Sequence, residues 1–445
     1  MYDSLQLQSP CGANRLLSST FSTSKECLKE YYSLLRKTYG ALYECETEGV
    51  GAHLAALKHR LMCLRDISGT LQRLQNGVVL QDIELFEVKY LALLTTHIGE
   101  NLRTLALDWI TLPQLKEVVA VLDPDGLCIE NFYIYDSYSE ELADVRRQIK
   151  KHQELSGAEN TSDELLELLE RERALEAQIR EGLSGELKGS LPQLREALDS
   201  LGDLDILLAK CLQIKMLGLT IPEISEDGNT EYRRMFHPHI VQIYTSEGGR
   251  RNFTPIDIRF GLEPLTIIGA NMGGKSVVLK MVALNQILFQ FGFGVAASQA
   301  KIDIKERVLV CMGDQQSEVD GLSSFAGEVR AIESVLKSVR EGERVLALID
   351  EPARTTNPIE GTALVTALLE ILKGRQLSAL ITTHYNLEGN FFRRLKVKGL
   401  KDGRMDYTLV ETKEGEIPQE AINVARSLNA DSQWCDMAEK ILHKK

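Results

Sequence analysis

Gly269-Ala270-Asn271-Met272-Gly273-Gly274-Lys275-Ser276 fits the pattern G-x-x-x-x-G-K-[ST]. The apolar run Pro264-Leu265-Thr266-Ile267-Ile268 leads into it as a buried strand, and Val277–Phe291 follows as an apolar helix. A strand, a glycine-rich turn and a helix N-terminus make an anion site. Backbone N–H groups converge there, and the helix dipole adds about half a positive charge. In that setting Lys275 reaches β- and γ-phosphates, and the Ser276 hydroxyl coordinates Mg²⁺. About 75 residues on, Val345-Leu346-Ala347-Leu348-Ile349 ends in Asp350-Glu351. An isolated Asp-Glu pair is usually a solvated strand end. After a phosphate loop the pair acquires chemistry, in which Asp350 holds Mg²⁺ and Glu351 orients or deprotonates an attacking water. The next apolar strand, Ala379-Leu380-Ile381, runs through Thr382-Thr383 to His384, placed to sense a γ-phosphate by hydrogen bond.

The elements that must position these groups follow from hydrophobic periodicity. Between about Lys25 and Trp109 the pattern is helical: Leu54, Leu57, Leu61, Leu64 and Ile67 recur at three- and four-residue steps, then Ile83, Phe86, Val88 and Leu91. Asn76-Gly77 and Gln81-Asp82 mark a stop and a start between them. Val118–Leu122, Asp123–Gly126 and Leu127–Ile129 predict a small hairpin or tight turn. Ser137–His152 and Ser162–Gly182 predict an antiparallel helical hairpin with charged outer faces, and Pro192–Leu219 another helix. Residues 1–20 are polar and predict poor order, and Pro222–Asn229 predicts a linker. Beyond Tyr232 the runs Ile240–Tyr244, Leu265–Ile268, Val308–Met312, Val345–Ile349 and Ala379–Ile381 read as strands, with helices between the later ones. That alternation predicts an α/β domain with a mainly parallel central sheet.

A net charge of −13 argues against a broad electrostatic grip on nucleic acid. The eight cysteines are scattered without a C-x-x-C pair, as expected of reduced thiols in a cytoplasmic protein. Met1–Arg15 lacks the apolar core of a signal peptide. The Val277–Phe291 run is interrupted by Lys280, Asn285 and Gln286, so no membrane span is expected.

Together with Asp314-Gln315-Gln316-Ser317 and Gly321-Leu322-Ser323-Ser324-Phe325, these motifs resemble the ATPase domain of the MutS family. Asn271-Met272-Gly273-Gly274-Lys275-Ser276 matches that family's phosphate loop, and Phe253-Thr254-Pro255 resembles its adenine-stacking segment. Asp350-Glu351 and Thr383-His384-Tyr385 match its later motifs. The resemblance runs from about His237-Pro238 to the last residue. It implies an all-α core and lever domain followed by an α/β P-loop (ABC-type) ATPase domain. The expected divisions are a polar segment 1–24, a helical domain 25–224 with its hairpin at 137–183, and an ATPase domain 230–445 closing in a helix–turn–helix at 418–443 that contacts a partner subunit. Leu201-Gly202-Asp203-Leu204-Asp205-Ile206-Leu207-Leu208-Ala209 is similar to the family's lever.

Carried onto this chain, the resemblance implies a dimer with composite sites for ATP and Mg²⁺. One subunit supplies Phe253, Gly269, Asn271, Met272, Gly273, Gly274, Lys275, Ser276, Asp350, Glu351 and His384; the other supplies Ser323 in trans, with Ser324 beside it. Arg354 and Glu360-Gly361 fall in the loop the family uses at its dimer contact. Three departures concern turnover: Pro352-Ala353 and Thr355 stand where more flexible residues and a glycine are usual, and Val277 replaces a threonine. No mismatch-reading segment is recognisable: Phe86-Glu87 reads as helix surface, and the hairpin is short for a DNA clamp. The pattern is nearest the subfamily linked to recombination control, without its nuclease domain. Two roles follow. One is a homodimer, or a pair with a related MutS-like subunit, whose ATP-driven arms act on DNA in repair or recombination. The other is an ATPase subunit that reactivates an adenosylcobalamin-dependent lysine aminomutase.

Overall fold

The computed structural model describes residues 4–44, 49–156, 163–246, 248, 253–269, 274–312, 324–354, 356–401, 404–413, 422, 425–426 and 430–442. The chain divides into two compact units, residues 2–19 with 34–212, and residues 20–33 with 213–445.

The first unit is helical. Its helices are α1 (Pro10–Leu17), part of α2 (Lys25–Tyr39), α3 (Val50–Met62), α4 (Ser68–Gln75), α5 (Asp82–Thr104), α6 (Lys116–Leu122), α7 (Glu140–Ser156), α8 (Asp163–Leu187) and most of α9 (Leu191–Leu217). In α5 the positions Leu85, Val88, Leu91, Ala92, Ile98 and Leu102 recur at helical spacing and are buried in one core with α3, α4 and α9. Glu84 starts this helix by accepting from the Gln81 amide. The same core holds an ion pair. Lys89 Nζ lies 3.0 Å from Asp123 Oδ1 and donates to the Tyr135 hydroxyl at 2.8 Å, with Lys89 and Asp123 both sealed from solvent. α7 and α8 pack together around Arg146, whose guanidinium meets Glu172 at 2.8 Å and Glu176 at 2.9 Å.

Two stretches of this unit depart from expectation. Residues 116–122, expected as the start of a small hairpin or tight turn, are helical, because Val118 and Leu122, four apart, both face the core. The turn expected after it is present, with the Gly126 amide donating to Asp123 O at 2.9 Å. The polar amino-terminal stretch contains α1, capped by Ser9 and anchored on α9. Asp205, buried, accepts from the Gln8 amide at 3.0 Å, the Ser9 amide at 2.7 Å and the Ser9 hydroxyl at 2.6 Å. Glycine is required at both contact points. A Cβ on Gly12 would fall 2.5 Å from Asp205 Oδ2, and one on Gly202 would fall 2.9 Å from Arg15 Cγ and 3.3 Å from the Cys11 backbone. Asp205→Ala strands these donors and is expected to destabilise the helical unit by about 2–4 kcal/mol. Chemical denaturation measures it, and limited proteolysis near residue 19 should quicken in parallel.

The second unit has two sheets. A four-stranded sheet has the order β1 (Glu223–Ile224), β5 (Gln299–Ile302), β2 (Thr230–Met235), β3 (Ile256–Phe260). Its first strand lies within the stretch read as a linker, where Glu223 and Ile224 pair with Lys301 and Ile302. The run Ile240–Tyr244, expected as a strand, lies in α10 (Pro238–Ser246). Five residues are too few to separate the two periodicities, and Pro238 favours a first helical turn.

The six-stranded sheet has the order β10 (Arg404–Glu411), β9 (Arg393–Lys401), β4 (Leu265–Ile268), β8 (Leu377–Thr383), β7 (Val345–Ile349), β6 (Arg307–Cys311). All neighbours are parallel except β9 and β10. The central strands β7 and β8 are buried along their whole length, as strands covered on both faces must be. On one face, Val345, Ala347, Ile349, Ala379 and Ile381 pack with α12 (Ser324–Glu341) and α13 (Pro358–Leu372). α11 (Lys275–Gln290) contacts β6, β7 and β8 and has no residue in that cluster, so it covers the other face. A last helix, α14 (Ser432–Leu442), leaves Trp434, Met437 and Ile441 exposed.

Candidate functional site

The sheet order decides which distant residues meet. β4 pairs with β8, whose other neighbour is β7, so the carboxyl ends of all three strands open on one edge. Ile268 stands opposite Thr383, and Ile349 opposite Ile381. The glycine loop, Asp350-Glu351 and His384 each follow immediately from one of these ends, the usual place for a ligand crevice in a parallel sheet.

Lys275 opens α11 and is buried. Its Nζ donates to Gly269 O at 2.8 Å and lies 3.0 Å from Glu351 Oε1. Lys275 and Ser276 thus occupy the first turn of α11, where the helix's N–H groups lack intrahelical acceptors. Gly274 caps this helix with φ +71°, a conformation that suits glycine, and a Cβ there would lie 2.9 Å from the Tyr407 ring. That ring on β10 is therefore packed onto the foot of the loop, a neighbour no local pattern announces.

Asp350 and Glu351 are tied to β8 through Thr382. The Thr382 hydroxyl donates to Asp350 Oδ1 at 2.5 Å and accepts from the Glu351 amide at 2.9 Å. The Asp350 amide donates to Cys311 O at 2.8 Å on the opposite neighbour, β6. The Asp350 carboxylate is thereby held at one oxygen, and the backbone of both residues is held at its amides. Glu351 has φ +45° and Ala353 φ +60°, left-handed conformations that cost a residue with a Cβ about 1–3 kcal/mol. Arg354 Nη1 lies 3.9 Å from Glu351 Oε2, so this carboxylate faces a cation on each side. His384 is exposed just past β8, its ring centroid 4.3 Å from that of Tyr385. Phe253 is partly buried ahead of β3. Burial pushes the Cys311 thiol up to about 11, which keeps it protonated and out of nucleophilic chemistry.

Asn271, Met272 and Gly273 of the loop lie outside the described residues, as do Ser323, Thr355 and 313–320. The residues that are described fit a nucleotide and its metal in kind. A buried cation heads a helix N-terminus, and a hydroxyl (Ser276) and a carboxylate (Asp350) follow the ends of nearby strands. Among the described residues there is no group of three or more His, Cys, Asp or Glu side chains able to cage a metal by themselves. Mg²⁺ bound with a phosphate ester needs no such cage, because waters and phosphate oxygens complete its shell. Thr382 is the neighbour of the two carboxylates that spacing missed; its one available signal was a hydroxyl residue two positions before His384. No helix among the described residues is long and apolar enough to cross a membrane.

Residues 265–428 match the family model of MutS domain V. The Endonuclease MutS2 of Clostridium novyi (strain NT) is 33% identical over 251 residues, 56% of this chain and 30% of its own length. That of Carboxydothermus hydrogenoformans is 31% identical over 230 residues, covering 51% and 28% respectively. That of Streptococcus sanguinis (strain SK36) is 34% identical over 188 residues, covering 42% and 23%. The matched part thus spans less than a third of each of these relatives. With β4, α11 and the paired carboxylates after β7 all inside it, the segment 265–428 of this chain is similar to MutS domain V.

Proposed function

We propose that this chain binds ATP at the Gly269–Ser276 P-loop and hydrolyses it with Mg²⁺. The observation that carries the reading is the Lys275–Glu351 contact at 3.0 Å, which puts the phosphate-binding cation and the water-activating carboxylate at one point. Lys275, freed from Glu351 by an incoming phosphate, holds the β- and γ-oxygens, joined by loop amides from Gly269 to Gly274. Glu351 then orients the water and takes its proton. Asp350, whose Oδ1 accepts from Thr382, and Ser276 would hold the metal. When bound, Mg²⁺ neutralises charge on the phosphate oxygens. His384 donates to the γ-phosphate, Phe253 stacks on adenine, and Ser323 arrives from a second subunit in a head-to-tail dimer. A groove of about 250 Å³ beside the Glu351 turn is lined by Val329, Leu364 and Ile371, each about half exposed, and suits coverage by that second copy. The segment 418–443, part of which lies outside the described residues, serves the same contact.

The expected result is ATP turnover that requires Mg²⁺ and falls by about 10²-fold or more in Asp350→Asn. Turnover that persists in that variant, or with metal chelated, overturns the assignment.

In this reading, nucleotide state moves the helical arms on DNA, the role that similarity to MutS domain V favours. One observation favours a protein load instead, such as an aminomutase in need of reactivation. α8 carries eight acidic against three basic residues, which repels a phosphate backbone. Titration of labelled duplex and branched DNA separates the two. Binding at low salt that weakens as salt rises supports DNA; no binding even at low salt supports the protein partner.

A further inference from the structure

The turn that carries Glu351 is strained twice, at Glu351 itself and at Ala353. Ala353 is held at both of its backbone polar groups by side chains from two other elements. Its amide donates to Glu328 Oε2 at 3.0 Å, from the second turn of α12. Its carbonyl accepts from the Tyr385 hydroxyl at 2.6 Å, from the segment after β8. The tyrosine is itself fixed, since its amide donates to the Thr383 hydroxyl at 3.0 Å. α13 makes room for it: a Cβ on Gly361 would fall 2.3 Å from the Tyr385 oxygen. Burial, followed by the charges of Glu328 and Glu351, raises the Tyr385 phenol, so it stays a donor.

We propose that Glu328 and Tyr385 are positioning residues for Glu351, forming a two-sided clamp on Ala353 that holds the strained turn in its hydrolytic geometry. The inference rests on the ATPase reading and goes beyond it. Without the clamp, an alanine with φ +60° relaxes toward ordinary backbone and carries the neighbouring carboxylate away from Lys275. The clamp also joins the start of α12 to the residue after His384, so a shift in either element reaches Ala353, two residues from Glu351, by one hydrogen bond.

The test uses the full chain. Tyr385→Phe, which deletes only the hydroxyl, is expected to lower kcat about tenfold, the factor for about one net hydrogen bond. KM for ATP and the melting temperature should hold. Adding Ala353→Gly should restore most of the loss, because glycine adopts the left-handed conformation without the Cβ penalty. Glu328→Gln keeps an oxygen acceptor and should retain most of the activity that Glu328→Ala loses. If the double variant stays as slow as Tyr385→Phe, or if KM and melting temperature fall together with kcat, the positioning role is overturned. Amide exchange at 351–354, measured on the same proteins, needs no turnover. It should accelerate about tenfold in Tyr385→Phe, and unchanged exchange overturns the clamp. A wild-type chain that hydrolyses no ATP overturns the ATPase reading instead, and the exchange result then still decides the clamp.

Discussion

Glu351→Gln is expected to reduce ATP hydrolysis by about 10²–10⁴-fold, the range a positioned general base contributes, while nucleotide stays bound. The substitution keeps the shape of the side chain and an oxygen able to accept from Lys275, so the turn built on Thr382 and Ala353 persists. What is lost is the basic site for the water's proton and one negative charge beside the lysine. Removing that charge frees Lys275 for phosphate, so ATP affinity should hold or rise. A trapped ATP state should also enrich the dimer, which sedimentation with and without ATP reads directly. Single-turnover hydrolysis is the decisive measurement. Normal turnover in this variant would remove Glu351 from the chemistry, however well ATP binds.

Lys89→Met should cost the helical unit about 3–5 kcal/mol. The reason is burial. Lys89 and Asp123 are sealed from water, and deleting the ammonium leaves a carboxylate with no solvent and only Cys128 N–H and Tyr135 O–H nearby. Lys89→Met with Asp123→Leu should recover much of the loss, because replacing both members of a buried pair by apolar groups removes the desolvation penalty. Trp109 reports on this unit, its indole N–H donating to Thr38 at 3.2 Å. The only other tryptophan, Trp434, is exposed in α14 and can be replaced by Phe to isolate the signal.

The same pair sets a pH profile. Burial alone would raise the Asp123 carboxyl, but the Cys128 amide, Lys89 and Tyr135 outweigh it, and the net direction is down. A lowered carboxyl contributes stability above its unfolded value of about 4 and loses it as pH falls through the folded value. Burial likewise opposes charge on Lys89, and its hydrogen bonds to Tyr135 and Asp123 win, so its direction is up. That contribution is present below about pH 10 and is lost as pH rises through the folded value. The difference between wild type and the double variant should therefore be flat through neutrality and shrink at both extremes. A slope near pH 7 would argue against the pair as its source.

By itself, the sequence determined the local chemistry: the glycine loop between an apolar strand and helix, the two carboxylates after Ile349, and the histidine after the next strand. Each depends on residues within a few positions of one another, where spacing and side-chain type act directly on the backbone. The buried stripe of α5 was legible for the same reason. The strand expected at Ile240–Tyr244 is a helix, and of the hairpin or tight turn expected at 118–129 the turn is present after a helix, because short apolar runs satisfy either period until a tertiary neighbour selects one.

Only the tertiary structure decided what those groups touch. Strand order placed β8 between β4 and β7, and that adjacency put Lys275 against Glu351 and made Thr382 the common tether of Asp350 and Glu351. Crossovers brought Tyr385 and Glu328 onto Ala353, Tyr407 onto Gly274 and Asp205 onto Ser9. These partners lie far apart along the chain. Their meeting is fixed by sheet register and helix packing, which are global properties of the buried surface rather than preferences of any one segment.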